Sequence, residues 1–484
     1  MEKNRRWWAL VAVALGTFMT YLDNNVVNVA LPSIQRDLGL SIAGLEWITS
    51  AYILVFAGLL LAGGRIADVL GTRIAFLSGL AVFTVASVAA GLADSQSLLI
   101  GARAVQGIGA ALLAPASLAL LQELFPDPRE RGTAIGVWGG VGALALAVGP
   151  FTGGVLSEHV SWGWIFLINL PIGLATIGLT LFSVPAGHDA AKRVADRAAG
   201  VTRVLRRLDP AGLITSSLSL FALTYALIEG DGEGWTSPLI LGSFGVAAAA
   251  AIAFVVVQSR NADSMVDLRF FRSRMFTGGL LAMGLWAFGV FGIYFYMAIY
   301  LQNVLGFSPT GAGAAFIPMA IITAVGAVLA PRLELRFGVA RVTAFGLAVM
   351  AAAIAGIAQY GEGTGYADLL PWFALYGIGG GLLIPLSTVV VDALPPGRAG
   401  IASGMLNVSR EVFGLLGVTV LGAILTNRSN AASGTEMHRF LEGYQSSLVV
   451  AAVLVAVGVP VSLYMLRRVR AAEPADEERV LEAV

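Results

Sequence analysis

The 484-residue chain contains no cysteine, which excludes disulfide bonds, thiolate metal sites and cysteine nucleophiles. It has two lysines, Lys3 and Lys192, and three histidines, His159, His188 and His438, all in expected loops or the N-terminal flank. A phosphate-binding loop of the form G-x-x-x-x-G-K-[ST] needs a lysine after its second glycine, and neither lysine is so placed. ATP hydrolysis by such a loop is therefore excluded. The scattered histidines argue against a metal site, and no cofactor is expected. Charge is scarce too: Asp, Glu, Lys and Arg make up 12% of the chain, where soluble domains carry about 25%. The 30 basic and 30 acidic residues cancel, so nothing points to nucleic acid.

What fills the chain instead is apolar sequence, 57% of residues with a mean hydropathy of +0.81. A spanning helix needs about 20 apolar residues. Fourteen such segments are predicted near 7–29, 44–63, 74–92, 98–122, 132–156, 162–184, 208–228, 237–257, 275–299, 310–330, 341–359, 369–391, 400–425 and 444–466. The expected class is an all-α membrane protein. Lys3, Arg5 and Arg6 precede the first segment, which is too long for a signal peptide and has no A-x-A-like cleavage site, so it is expected to be retained. An even number of crossings puts both termini on one side. With that side cytoplasmic, 25 of the 30 Lys/Arg residues fall inside, and Arg36, Arg428 and Arg439 fall outside. Arg103 and Arg410 lie within segments. This is the positive-inside pattern. Trp7 and Trp8 at the inner edge, with Trp47, Trp162, Trp164 and Trp235 at the outer, fit interfacial belts. Arginine dominance over lysine, with abundant Ala, Gly and Val, fits GC-rich bacterial coding.

Two tight basic turns repeat. Gly64–Arg73 follows the second segment and Arg332–Arg341 follows the tenth, each with a carboxylate and a glycine. Eight segments separate them, which predicts two six-helix bundles with two helices inserted between. The expected layout is 1–184 for the first bundle, 185–274 for the inner loop, inserted pair and linker, 275–466 for the second bundle, and 467–484 for a cytoplasmic tail. Internally repeated halves around a midplane site mark transporters.

The stretch Gly136–Gly154 holds seven glycines in nineteen residues. On a helix Gly139, Gly142, Gly149 and Gly153 share a stripe about 80° wide. Such a stripe lets two backbones approach within lipid, and Pro150 cannot donate to the carbonyl of Leu146. It reads either as a packing seam or as a bend that seals one end of a transport path.

These stretches carry a family resemblance. Gly149-Pro150-Phe151-Thr152-Gly153-Gly154 resembles the antiporter motif of major facilitator exporters, and Gly64–Arg73 resembles their inner loop motif, with Asp68, Gly71 and Arg73 matching and Val69 departing from the usual basic residue. Gly101–Ala111 resembles the R-x-x-Q-G-x-G-A-A motif without departure. Leu22–Pro32 is similar to L-D-x-x-I-V-N-V-A-L-P of the fourteen-spanner drug:proton antiporter family, and Trp162–Pro171 to its W-R-W-I-F-x-I-N-x-P, with Gly163 replacing arginine. Tyr300–Gln302, Leu305, Gly306 and Pro309 match its second half. The resemblance implies a major facilitator fold and proton-driven export of hydrophobic or cationic drugs or antibiotics by a monomer in the bacterial cytoplasmic membrane, both termini cytoplasmic. It implies a conformational role for Asp68, Gly71, Arg73, Gly149, Pro150 and Gly153.

Ionisable groups within lipid cost about 2.5–3.5 kcal/mol each on insertion scales, which makes each a functional candidate. Asp23 and Arg103 fall at similar depths on the first and fourth helices. Their pair reads either as a static staple or as the proton-coupling site, since burial opposes the charged carboxylate and an arginine favours it. Glu411 is the next coupling candidate; it faces the cavity or meets an interhelical partner, and as a neighbour of Arg410 about 100° away it is not expected to pair with it. Glu46 reads as a solvated cap or a substrate contact. Glu229, Asp231 and Glu233 read as a solvated loop. Asn24, Asn28, Gln106, Phe291 and Tyr294 complete the candidate substrate cavity, where flat apolar and cation–π contacts accept varied ligands. Besides multidrug export, export of an endogenous metabolite or self-made antibiotic fits the same machinery. Proton-coupled uptake fits less well. A membrane enzyme would need clustered catalytic groups, and none is present.

Overall fold

The computed structural model describes residues 3–185, 209–261, 264, 266–394 and 399–467. Within them lie fourteen helices long and apolar enough to cross a membrane. They are α1 (Asn4–Leu38), α2 (Ile42–Ala67), α3 (Thr72–Gly91), α4 (Gln96–Leu124), α5 (Arg129–His159), α6 (Trp164–Ser183) and α7 (Pro210–Glu233). There follow α8 (Pro238–Arg260), α9 (Arg274–Asn303), α10 (Pro309–Phe337), α11 (Val339–Ile357), α12 (Tyr366–Val391), α13 (Ile401–Ala431) and α14 (Glu436–Met465). The basic segment 186–208, the tail 468–484 and the Asp68 side chain lie outside the described residues.

The helices outrun the apolar segments. α1 has 35 residues, about 52 Å of helix against about 30 Å of hydrocarbon. Hydropathy marks only the part that must lie in lipid, whereas backbone hydrogen bonding continues until a cap stops it. Ser41, Ser237, Ser273 and Thr435 cap α2, α8, α9 and α14 by accepting from backbone N–H groups of the first turn.

Within lipid, helices gain nothing hydrophobic by associating, so close van der Waals contact decides the packing. Glycine supplies it at matching places in the two halves. A Cβ on Gly107 of α4 would stand 2.7 Å from the Tyr52 carbonyl oxygen, and one on Gly109 2.6 Å from the Phe83 nitrogen. In α12, a Cβ on Gly377 would stand 2.8 Å from the Met319 carbonyl oxygen, and one on Gly379 2.8 Å from the Met350 nitrogen. α5 crosses α1 at Gly153, 2.5 Å from the Val26 carbonyl oxygen, and α13 crosses α9 where Gly417 meets the Phe288 carbonyl.

The repeated turns agree in backbone as well as in sequence. Gly71 ends α2 with φ 95° and ψ 144°, and Gly338 ends α10 with φ 85° and ψ 146°. Both conformations are open to glycine and strained for other residues. Each glycine N–H returns to the preceding helix, Gly71 to the Ala67 carbonyl at 3.0 Å and Gly338 to that of Glu334 at 2.8 Å. Arg73 then donates to the Val184 carbonyl at 2.9 Å, tying the start of α3 to the end of α6.

The halves meet tightly at the end away from the termini, called here the far end. Gly154 of α5 packs against the Pro309 carbonyl, and Gly313 of α10 against that of Pro150. Glu158 accepts from the Thr310 N–H at 2.9 Å, and Gln302 of α9 donates to the Val29 carbonyl of α1 at 2.8 Å. Toward the terminal end of α5, a Cβ on Gly132, Gly136, Gly139 or Gly140 would meet nothing within 4 Å. The expected four-glycine stripe is therefore split. Gly149, whose Cβ would stand 2.7 Å from that of Asn25, and Gly153 are seam residues, whereas Gly139 is open.

α7 and α8 pack on each other, and α7 leans on α2 and α13. Ser219 donates to the Ala247 carbonyl at 2.9 Å, Trp47 donates to Glu229 at 2.7 Å, and Asn430 donates to Asp231. Glu229 and Asp231 were expected to be merely solvated. They tie the inserted pair to α2 and α13 instead: the half-buried Trp47 N–H needs an acceptor and finds Glu229, and the exposed Asn430 donates to Asp231.

Candidate functional site

Asp23, Arg103 and Gln106 come together in the far half of the first six spans, all fully buried. The Arg103 guanidinium makes an ion pair with Asp23 Oδ2, and the same nitrogen donates to Gln106 Oε1 at 3.0 Å. Gln106 donates to Asp23 Oδ1 at 3.1 Å and to Ser87 Oγ at 2.7 Å. Arg103 and Gln106 lie three residues apart, on one face of α4. Gly107 and Gly109 bring that face against α2 and α3, which delivers Ile48, Tyr52 and Ser87. Arg103 Nε donates to the Ile48 carbonyl at 3.3 Å, and its Cζ lies 4.4 Å from the Tyr52 ring centroid and 5.6 Å from that of Phe166.

Asn169 is the residue that sequence reasoning missed. It opens the second piece of α6 after a break at Ile168, is fully buried, and donates to Asp23 Oδ1 at 2.9 Å and to Ser87 Oγ at 3.3 Å. The signal was present as the asparagine of Trp162–Pro171, quoted as a motif letter and not as a ligand of Asp23. The carboxylate thus accepts from an arginine and two amides, a dense set of donors for one buried acid. Among the described residues Arg103 Nη2 and Asn169 Oδ1 find no hydrogen-bond partner.

Asn28 is buried with its Oδ1 unpartnered, and Asn24 is half-buried one residue from Asp23. Neither makes a hydrogen bond to Asp23.

A second charged group bridges the halves. Arg410 pairs with its neighbour Glu411 at 2.9 Å, which corrects the expectation that adjacent helical residues point too far apart. The long arginine side chain folds back around the helix, and both its Nε and Nη2 reach Glu411 Oε1. Arg410 also lies over the Tyr21 ring of α1, 5.7 Å from its centroid, and its Nη1 is 3.4 Å from the Tyr21 hydroxyl. Glu411 is 2% exposed, with Oε2 unpartnered.

Phe291 is half-buried against Gly414, one turn beyond Arg410. Tyr294 stacks on Phe316 at 5.0 Å, and Phe316 on Phe373 at 6.3 Å, a column inside the last six spans. Glu46 is not the solvated cap expected at the start of α2. It is 2% exposed, 3.0 Å from the Tyr296 hydroxyl, because Gly422 of α13 leaves room for its carboxyl. Among the described residues no group of histidine and acidic side chains is suited to a metal.

A family model described as the Major Facilitator Superfamily matches residues 13–418. The chain belongs to the major facilitator superfamily. This major facilitator is 36% identical over 433 residues to the puromycin resistance protein pur8 of Streptomyces alboniger, covering 88% of this chain and 83% of that one. It is 35% identical to the tetracenomycin C resistance and export protein of Streptomyces glaucescens, covering 88% and 77%. It is 34% identical to the multidrug resistance protein Stp of Mycobacterium tuberculosis, covering 86% and 75%. Among solved structures, a bacterial homolog of the human lysosomal transporter Spinster, inward-facing and unoccupied, superposes with a TM-score of 0.64. It covers 96% of this chain and 97% of that one at 18% identity, a likeness of fold alone.

Proposed function

We propose that this major facilitator exports hydrophobic or cationic drugs or antibiotics across the bacterial cytoplasmic membrane in exchange for protons. It is a transporter and not an enzyme, with both termini cytoplasmic and with a monomer as the working unit. The observation that carries the reading is the buried Asp23–Arg103 pair. A charge pair removed from water is weak as a stabiliser, while a buried acid that can trade its proton for an arginine is what exchange requires. Protonation of Asp23 ends its attraction for Arg103, and the released guanidinium favours a second arrangement of α1 against α4. Gln106 and Asn169 hold the carboxyl in place through both states. The one-sided packing of α5 supports alternation: Gly149, Pro150 and Gly153 seal the far end, and the terminal half of α5 is loosely held. Gly71 and Arg73 support the terminal end through the α2–α3 turn, and Asp68 belongs to the same turn.

The candidate substrate contacts are Tyr21, Arg410, Glu411 and Phe291, where α1 approaches α13, with Asn24 nearby. Cytoplasmic termini agree with the arginine asymmetry, and the 1–184, 185–274 and 275–466 division with the matched glycine crossings. The names of the relatives, drug and antibiotic resistance proteins, support the substrate class. A second reading, a dedicated exporter of a self-made antibiotic, is favoured by the resistance proteins of antibiotic-bearing name from Streptomyces among them.

The test is a drug-accumulation panel in an efflux-deficient host, with and without an uncoupler. Export that stops with the uncoupler supports the proposal. Export indifferent to it removes the proton coupling, and resistance to a single antibiotic moves the reading to the dedicated exporter.

A further inference from the structure

Glu46 is a buried acid that the mechanism above leaves unused. It belongs to the first six spans, and the groups in direct contact with its carboxyl, Tyr296 and Gly422, belong to the last six. Its Oε1 lies 3.0 Å from the Tyr296 hydroxyl of α9, and that hydroxyl lies 2.8 Å from the Val418 carbonyl of α13. Gly422, one turn beyond Val418, faces the carboxyl so closely that any Cβ there would overlap it. The groups facing Glu46 are few. From α2 the neighbouring Trp47 spends its N–H on Glu229; α7 contributes Glu229, itself an acid; α9 contributes the neutral Tyr296; α13 contributes backbone. Among the described residues Glu46 enters no ion pair with Lys, Arg or His.

Counting protons decides what form this acid takes. The tyrosine has one hydroxyl hydrogen and two oxygen neighbours at bonding distance, a carbonyl and a carboxyl. A carbonyl can only accept. One hydroxyl hydrogen cannot make two full two-centre hydrogen bonds; both contacts are satisfied in full when Glu46 carries a proton, donating to the Tyr296 oxygen while Tyr296 donates to Val418. An ionised carboxyl here would be a buried charge without a cation and beside a second acid, an arrangement that costs several kcal/mol. We propose that Glu46 is a second proton-binding site, occupied whenever the far end is closed and emptied when it opens.

The proposal deepens the export reading and rests on it for its direction. Opening the far end withdraws α9 and α13 from α2 and gives Glu46 to water, where it ionises. By reciprocity, a proton that binds Glu46 from the far side favours closure to the same degree that closure favours the proton. Protons arriving from outside thereby drive the empty exporter back toward its terminal-facing state. Asp23, held by Arg103, is not part of this latch.

The absence of native cysteine makes the test direct. Ser95, between α3 and α4, and Glu362, between α11 and α12, are exposed far-end positions in opposite halves. With both replaced by spin-labelled cysteine in lipid nanodiscs, the distance between them reports closure without substrate or gradient. The short distance is expected to gain population as pH falls. Glu46→Gln, which keeps a donor for Tyr296 and cannot ionise, is expected to hold the short distance at high pH, with a closed-to-open ratio about tenfold above the parent at pH 8. Tyr296→Phe, which removes the acceptor, is expected to need lower pH to close. A parent protein whose distance ignores pH, or a Glu46→Gln protein with the parent's pH response, overturns the proposal. The same labels on Asp23→Asn separate the two ideas. A far-end response to pH that survives Asp23→Asn and disappears in Glu46→Gln supports the latch, whatever the uncoupler does to export. A response lost in Asp23→Asn and kept in Glu46→Gln overturns the latch and leaves the export reading standing.

Discussion

Arg103 stands four residues before Gly107 in α4, stacked over Tyr52 at 4.4 Å. The register that carries Gly107 and Gly109 onto Gly377 and Gly379 puts Phe373 at the corresponding place in α12, stacked on Phe316 at 6.3 Å. It also carries Gln106 onto Tyr376, whose hydroxyl lies 3.4 Å from the Gly289 carbonyl. The two halves share their crossings and their turn glycines, yet one is filled with an ion pair and amides and the other with rings. The difference teaches where to look for chemistry. Backbone approach is symmetric because packing in lipid demands it; only the first half places a titratable acid in the space so formed. At the matching place the second half offers aromatic surfaces and no carboxylate.

Asp23→Asn is the sharpest way to break the contrast. It keeps the size of the side chain and removes the exchangeable proton, so proton-driven export is expected to be lost while substrate binding persists. Substrate-induced proton release from purified protein measures it, and a variant that still releases a proton per substrate transfers coupling elsewhere, to Glu411 first. Arg103→Ala leaves Asp23 buried without its cation, a loss of about 3–5 kcal/mol for a broken buried pair. It is expected to lower the melting temperature and alter the pH dependence of substrate binding. Phe373→Ala, at the matching place, is expected to cost a similar 3–5 kcal/mol through a cavity and to leave the pH dependence as it was. Equal effects on pH dependence from both substitutions would abolish the distinction between the halves.

The same comparison runs along α5. Gly149→Leu, at the seam with Asn25, is expected to stop export in a protein that still inserts. Gly139→Leu, which meets open space, is expected to export near the parent level. A drug-resistance assay on both, with membrane abundance as control, decides it, and equal behaviour would remove the sealing role. The smallest effect is expected at Glu411. With Arg410 already paired to it, the site is close to neutral, and Glu411→Gln frees an arginine at the wall of the cavity. Cationic drugs are then expected to lose up to about tenfold in affinity, or 1.4 kcal/mol, with neutral drugs little changed.

Several features of the site were legible before any coordinates. Asp23 and Arg103 stood out because charge is scarce in apolar helices, and their similar depth followed from helical rise; Gln106 was legible through the R-x-x-Q-G-x-G-A-A resemblance but was expected in the substrate cavity and not beside Asp23. The repeated turn was readable as a basic turn with a carboxylate and a glycine, whereas the shared positive-φ conformation of Gly71 and Gly338 belongs to the structure. Glu46, Glu229 and Arg410 were misread for one reason. Each lies near a helix end or beside another charge, and its partner is far away in the chain: Tyr296, Trp47 and Tyr21 respectively.

The amino-acid sequence by itself determined the fourteen crossings and the two-half repeat, because each depends on local composition and on helical period. Tertiary structure alone decided which half of the glycine stripe is a seam, that Asn169 joins Asp23, and that Glu46 is shut between the halves. Those outcomes depend on which helices touch. In lipid that is set by the fit of surfaces, a pairwise property that no single segment carries.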